Sequence, residues 1–201
     1  SGTNGPIVVT GDASVTGTLT GNASAISLGS LTIASGGTYS ATSGTTTMTG
    51  VTDEVFNFTT TGTFTHNKGT VKFFTDLTDM EMWINDNVTF YNLEIDTADN
   101  ARFQNTTILG DLTVTDGIFK QYSNANTITV HGNTHVLADG TLGASTLTGA
   151  STYHGLITNS GTFLTGTGTN KFNGGVRNLG TFTSDDTFSI EGTGGILEGN
   201  L

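Results

Sequence analysis

The chain is expected to fold as an all-β protein, a parallel β-helix (solenoid) of roughly ten short rungs. Three observations predict this. First, a phrase returns in tandem: Ile157-Thr158-Asn159-Ser160-Gly161-Thr162-Phe163 reappears as Val176-Arg177-Asn178-Leu179-Gly180-Thr181-Phe182. Second, other phrases recur near the same spacing. Gly140-Thr141-Leu142 leads Gly161-Thr162-Phe163, and Gly174-Gly175-Val176 leads Gly194-Gly195-Ile196. The common period is about twenty residues, within the range of stacked repeat architectures. Third, the composition suits strands and corners. About a fifth of the residues are threonine, whose branched Cβ is comfortable on a pleated surface. The 29 glycines supply corners of positive φ, and the one proline, Pro6, leaves nearly every backbone N–H free for a ladder.

The elements follow in order. Residues 1–30 are rich in Gly, Ala, Ser and Thr, with small inward candidates Val15, Leu19, Ile26 and Leu28, and read as a thin start or N-terminal cap. The solenoid is expected over 31–201. Leu31-Thr32-Ile33-Ala34-Ser35-Gly36 matches Leu112-Thr113-Val114-Thr115-Asp116-Gly117, and each leads to a Thr-rich strand, Thr45–Gly50 and Thr127–Gly132. Gly62-Thr63-Phe64-Thr65 reads as an earlier copy of the Gly-Thr-Phe phrase. Within strands the apolar residues alternate, as in Leu112 and Val114, or Ile128 and Val130, which turns one face inward. Phe163, Phe182, Leu142, Leu112, Val114, Ile128 and Val130 are therefore assigned to a stacked core. One unit cannot bury its apolar face alone, whereas stacked units can. The rival architecture is an antiparallel β-sandwich or jelly roll, whose short strands also end on glycine turns. No window carries the 3.6-residue period of a helix. Residues 74–92 break the pattern with larger side chains, including the one Trp, and mark a bulkier segment. The closing run Gly195–Leu201 reads as part of another repeat, so the natural polypeptide is expected to continue.

Composition excludes several functions. The net charge is −11, with six Lys and Arg in all, which does not suit phosphate binding, so no nucleic acid partner is expected. Cysteine is absent, which removes disulfides and thiolate metal sites. No run approaches the length of a membrane-spanning helix, and no membrane insertion is expected.

The candidate chemistry is sparse. Asp76, Asp79, Glu81 and Asp86 cluster, and strand parity puts Asp79 and Glu81 on one face at a separation that paired carboxylates use in glycoside hydrolysis. No cationic cluster accompanies them, and the plain reading is a solvated acidic edge. His131 and His135 have the i, i+4 spacing of a helical metal face, but Gly132 and Asn133 place a corner between them; His66 and His154 are read as isolated. Calcium-binding repeats are absent as a pattern, and Gly166-Thr167-Gly168 lacks the Lys and helix of a phosphate loop. Arrays such as Thr127-Ile128-Thr129 suit an outward strand face; strict Thr ranks, which would order water, are expected to be interrupted by Lys, Asn and Phe. Trp83 and Tyr91, with Asp79 and Glu81, are the candidates for a surface, glycan or subunit contact. No catalytic residue, cofactor or metal ligand is assigned.

Two runs, Gly62–Phe73 and Val88–Ile95 followed by Leu112–Gly117, resemble β-helical repeat proteins of tailed-phage virions and bacterial cell surfaces. The resemblance covers most of residues 31–200. It implies a right-handed parallel β-helix used as a rigid appendage at a virion surface or outside the cell. It also implies self-association, as a homotrimer or fibre, and contact with other virion or surface proteins, with glycan as a possible ligand. The expected role is non-enzymatic: a structural or adhesive segment of a phage fibre, decoration or tail-associated protein. A bacterial adhesin segment is the alternative, and a polysaccharide-degrading β-helix a second.

Overall fold

The structure is a computed structural model, and it describes residues 5–50, 56–58, 62–76, 82–84, 87–144, 146, 148–184, 188–190 and 196–199. For 56–58, 83, 188 and 196 the description concerns the backbone alone. The protein is all β, and every strand pairing among the described residues is parallel. Parallel pairing throughout rules out the antiparallel sandwich, because a sandwich is built from hairpins. Parallel neighbours need a long return connection, and here the return is the rest of the coil.

Each coil lays strands on three faces. The first face is a ladder through Ile26, Thr46, Val71, Leu93, Leu112, Thr134, Ile157 and Val176, continued by Ile7 at one end and Leu197 at the other. The longer strands, such as Asn92–Phe103 and Leu112–Gln121, bend at a register shift and run on into the second face. There Phe119, Leu142, Phe163 and Phe182 are successive partners. The third face carries Val88–Phe90, Thr106–Ile108, Ile128–Val130, Ser151–Tyr153 and Asn170–Phe172 in one block, and Thr18–Thr20, Thr38–Ser40 and Thr63–Thr65 in an earlier one. The rings of Phe64 and Phe90, 5.9 Å apart, join the two blocks.

Nine successive coil-to-coil pairings carry the first face from Ile7 to Leu197, close to the roughly ten rungs expected. Coil length varies along the stack. The coil from Leu93 to its partner Leu112 is short, and the coil from Thr46 to its partner Val71 is markedly longer. At about 4.8 Å per coil, nine such steps give a stack of about 43 Å.

The core is one continuous column of inward side chains. Leu112, Val114, Ile128, Val130, Leu142 and Phe163 are all buried, and Phe182 is half-buried against them near the end of the stack. Aromatic rings gather in two clusters. Phe73, Phe90, Phe103 and Phe119 form one, with edge-on contacts such as Phe73–Phe103 at 5.6 Å. Tyr153, Phe163, Phe172 and Phe182 form the other. Val130, Val136 and Leu142 lie between the clusters in sequence. Inward polar residues are mostly bonded to corners. Gln121 Nε2 donates to the Gly149 carbonyl (3.1 Å) and to Ser151 Oγ (3.0 Å), and Asn170 Nδ2 donates to the carbonyls of Thr165 and Gly168, both at 2.8 Å. Buried Asn159 donates to Asn178 Oδ1 at 2.7 Å and to the Thr181 carbonyl at 2.8 Å.

Several sequence alignments are corrected by the register. The phrase at 157–163 does stack on 176–182, residue for residue, through Ile157–Val176 and Phe163–Phe182. Leu31 and Leu112, however, lie on different faces: Leu31 pairs with Ala13 on the second, Leu112 with Leu93 on the first. Thr63–Thr65 is a third-face strand, whereas Thr162–Leu164 belongs to the second. Ile196 pairs with Gly175, and it is Leu197 that continues the column of Val176. Alternating apolar phrases look alike on all three faces, so local similarity does not say which face a strand occupies.

Glycine also serves a purpose the composition does not suggest. Gly110, Gly132, Gly155 and Gly174 stack at one corner without positive φ. A Cβ on Gly132 would sit 2.3 Å from the Gly110 oxygen, and one on Gly155 2.2 Å from the Gly132 oxygen. Close approach of successive backbones, and not left-handed conformation, demands glycine there.

Candidate functional site

The residues with most chemical capacity lie on the outside of the third face and along the corner that follows it. Inward positions of this face alternate with an outward column: Thr89, Thr107, Thr129, Thr152 and Lys171 are successive register partners. The residue after each strand forms a second column, because each of these N–H groups donates to the preceding coil. Leu109, His131, His154 and Asn173 donate to the carbonyls of Phe90, Ile108, Val130 and Tyr153.

This register stacks His131 on His154. Their ring centroids are 4.8 Å apart and the planes differ by 5°, and both residues are exposed. His154 Nδ1 lies 3.1 Å from Asn173 Nδ2 in the next coil. A second stack, His66 on Tyr91 at 5.7 Å and 29°, stands at the junction of the two blocks. His66 and His154 are therefore not isolated, as the sequence spacing implied. His135 belongs elsewhere, in the outer column of the first face, paired with Thr113 and Thr158. The i, i+4 histidines are thus separated by the corner, and the two that do meet, His131 and His154, stand one full coil apart. The sequence signal for it is positional: Val130-His131, Tyr153-His154 and Phe172-Asn173 each place a polar ring or amide directly after an inward strand end.

The remaining polar candidates are tied between coils. Lys72 reaches Asp96 Oδ2 at 2.6 Å and Glu94 Oε1 at 3.0 Å. Burial works against the Lys72 charge, but hydrogen bonds and Coulombic attraction from Asp96 and Glu94 outweigh it and its pKa is raised. Arg177 bonds Glu198 at 2.7 Å across the last pair of coils. At the same corner as His131 and His154, two residues further along each coil, Asn92 Oδ1 accepts from the Asp111 N–H, Asp111 Oδ1 from the Asn133 N–H, and Asn133 Oδ1 from the Leu156 N–H, at 2.9, 2.7 and 3.1 Å. Lys120 Nζ donates to Asn100 Oδ1 at 2.7 Å.

Of the sequence-derived contact candidates, Tyr91 is half-buried in its stack with His66. Trp83 lies in Met82–Ile84, with its backbone paired to Arg102. Asp79, Glu81 and Asp86 lie outside the described residues, and Asp76 is exposed. No group of three or more His, Asp or Glu side chains converges on a metal position among the described residues. Among the described residues, no helix is long and apolar enough to cross a membrane.

The chain matches no family model, no curated protein and no solved structure.

Proposed function

We propose that this chain is a non-enzymatic structural segment, a stiff spacer in a surface appendage of a virion or cell, of the phage fibre, decoration or tail-associated kind. One observation carries the reading: the outer polar side chains are spent on joining coil to coil. The Asn92–Asp111–Asn133 corner ladder, the Lys72 bridge to Glu94 and Asp96, and the Arg177–Glu198 pair each clamp successive coils. A stack whose coils are bonded inside by packing and outside by side chains resists bending and local opening. The Thr column offers a flat, low-charge wall on which a second and third copy could pack, which supports the homotrimeric or fibrous association expected of such a segment. An adhesive role, in a bacterial adhesin for instance, has the His66–Tyr91 stack as its best glycan platform.

The test is immunogold labelling of intact virions or cells that carry the gene, together with mass in solution. Label on the outer surface and an elongated particle are expected. Label confined to the cell interior would overturn the reading. The enzymatic alternative is tested separately: release of oligosaccharides from a panel of bacterial surface polysaccharides would replace the structural reading with a catalytic one.

A further inference from the structure

The geometry points to a binding site for a divalent late first-row transition ion, held by His131 and His154 of adjacent coils, with Asn173 as a positioning residue. The site is independent of the proposed structural role.

Three features support it. The imidazoles are the preferred ligands of such ions, and here two of them are exposed, parallel and in contact, so no backbone movement is needed to bring them together. The distance is suitable. Two nitrogens bound to one ion at about 2.0–2.1 Å with a tetrahedral angle lie roughly 3.4 Å apart. Ring centroids now at 4.8 Å reach that separation when the two rings tilt toward each other, a movement of exposed side chains alone. Finally, Asn173 prepares the ligand atom. It occupies the Nδ1 side of His154, which leaves Nε2 as the atom facing an incoming ion. Metal binding through Nε2 requires the proton to reside on Nδ1. Asn173 serves that tautomer by turning its amide so that Oδ1 accepts from Nδ1–H. The turn sacrifices nothing at Oδ1, which is buried and has no hydrogen-bond partner in its present orientation.

The backbone supplies the rigidity. His131 and His154 both hang from N–H groups bonded to the coil below, to Ile108 and Val130, at 2.8 Å each. Both ligands therefore sit on ladder positions and not on free loops. Water completes the coordination, since the protein offers two nitrogens. The ion cross-links two coils from outside, as the Lys72 bridge does on another face.

Copper(II) is the probe that tests this, because it heads the affinity order for nitrogen sites. The intact chain is titrated with Cu²⁺ and followed by calorimetry and by electron paramagnetic resonance. One ion per chain, with hyperfine structure from two equivalent nitrogens, is expected. His131→Ala and His154→Ala should each weaken binding at least about tenfold, and Asn173→Ala by about tenfold with the two-nitrogen signature kept. His66→Ala and His135→Ala should leave affinity within about twofold. The metal-free melting temperature of each variant separates loss of the site from loss of the fold. A wild-type chain that binds no ion, or a His131→Ala or His154→Ala chain that melts normally and binds as tightly as wild type, would overturn the site. Asn173→Ala with unchanged affinity would remove the positioning role.

Discussion

Phe163 and Phe182 stand directly one above the other, in register, with ring centroids 5.2 Å apart and planes nearly perpendicular at 89°. The edge of one ring meets the face of the next, the arrangement a ring quadrupole favours. Phe163 is fully enclosed, while Phe182 is half-buried near the end of the stack. Truncating the two should therefore differ. Phe163→Ala is expected to cost about 3–5 kcal/mol, and Phe182→Ala clearly less, because its site already touches water. Phe163→Asp should cost more than Phe163→Ala, since an unpaired carboxylate would enter an apolar column. Denaturant midpoints at constant m-value decide this. Equal losses at the two positions would contradict the burial difference.

Gly161 is required by contact between coils. A Cβ there would fall 2.1 Å from the Leu137 carbonyl oxygen and 2.3 Å from that of Gly140. Both obstacles are backbone and belong to the coil below, so neither turns away as a flexible side chain would. Gly161→Ala is expected to destabilise by about 1–3 kcal/mol, although alanine outside such a site commonly stabilises by reducing freedom in the unfolded chain. Thermal melting of Gly161→Ala beside Gly17→Ala, where a Cβ meets nothing within 4 Å, gives the comparison. A Gly161→Ala chain as stable as wild type would show that the coils separate more easily than their spacing implies.

The two ion pairs should differ in worth. The Lys72 side chain is 24% exposed and bridges two carboxylates, whereas Arg177 and Glu198 are 44% and 55% exposed. Lys72→Met is expected to cost about 1 kcal/mol, and Arg177→Met no more than about 0.5 kcal/mol. Losing Lys72 also leaves Glu94 and Asp96 facing each other without a cation. Urea melts at low and high salt check both points, the Lys72 effect being the one that shrinks visibly as salt is added.

Two tyrosines make the fold sensitive to alkali. Burial pushes the Tyr153 hydroxyl well above its ordinary pKa, against a smaller opposing effect of its bond to Ser151. Burial likewise raises Tyr39, opposed by its bond to Thr46, 2.9 Å away. A raised folded-state pKa means that the unfolded chain gives up the proton first. The contribution is complete below about pH 10 and is lost as the pH climbs above it. Lys72, also raised, acts in the same window. Tyr153→Phe should therefore shift alkaline unfolding to higher pH while changing stability at pH 7 by only about 1 kcal/mol. Circular dichroism across pH 8–12 reads the shift, and an unchanged alkaline midpoint would show that Tyr153 is not the group that limits the fold there.

Much of the architecture was legible before any coordinates. The alternation at Leu112 and Val114 and at Ile128 and Val130 identified inward positions, because side chains of a strand point to opposite faces with a strict period of two. The 157–163 and 176–182 phrases were legible as stacked coils because one phrase returns in tandem at the spacing of a coil. The candidate site was not. The sequence separated His131 from nearby His135 by a corner but read His154 as isolated, whereas the molecule stacks His131 on His154. Likewise the acidic ladder partner of Lys72 is Glu94, in the next coil. Such contacts depend on the length of the whole intervening coil. That length differs between the Leu93–Leu112 and Thr46–Val71 coils, and the difference is hidden in the corners.

What the amino-acid order determined alone is that strands alternate, coils repeat at a nearly constant spacing, and apolar edges require neighbours above and below. Those properties are local and periodic, so they survive uncertainty about any one corner. What only the tertiary structure decided is which of three similar faces each phrase occupies, and which outer side chains meet. Each corner adds or omits residues without disturbing the strands, and the resulting phase is set by how backbones pack between coils, at glycines such as Gly132 and Gly155, where no side chain fits.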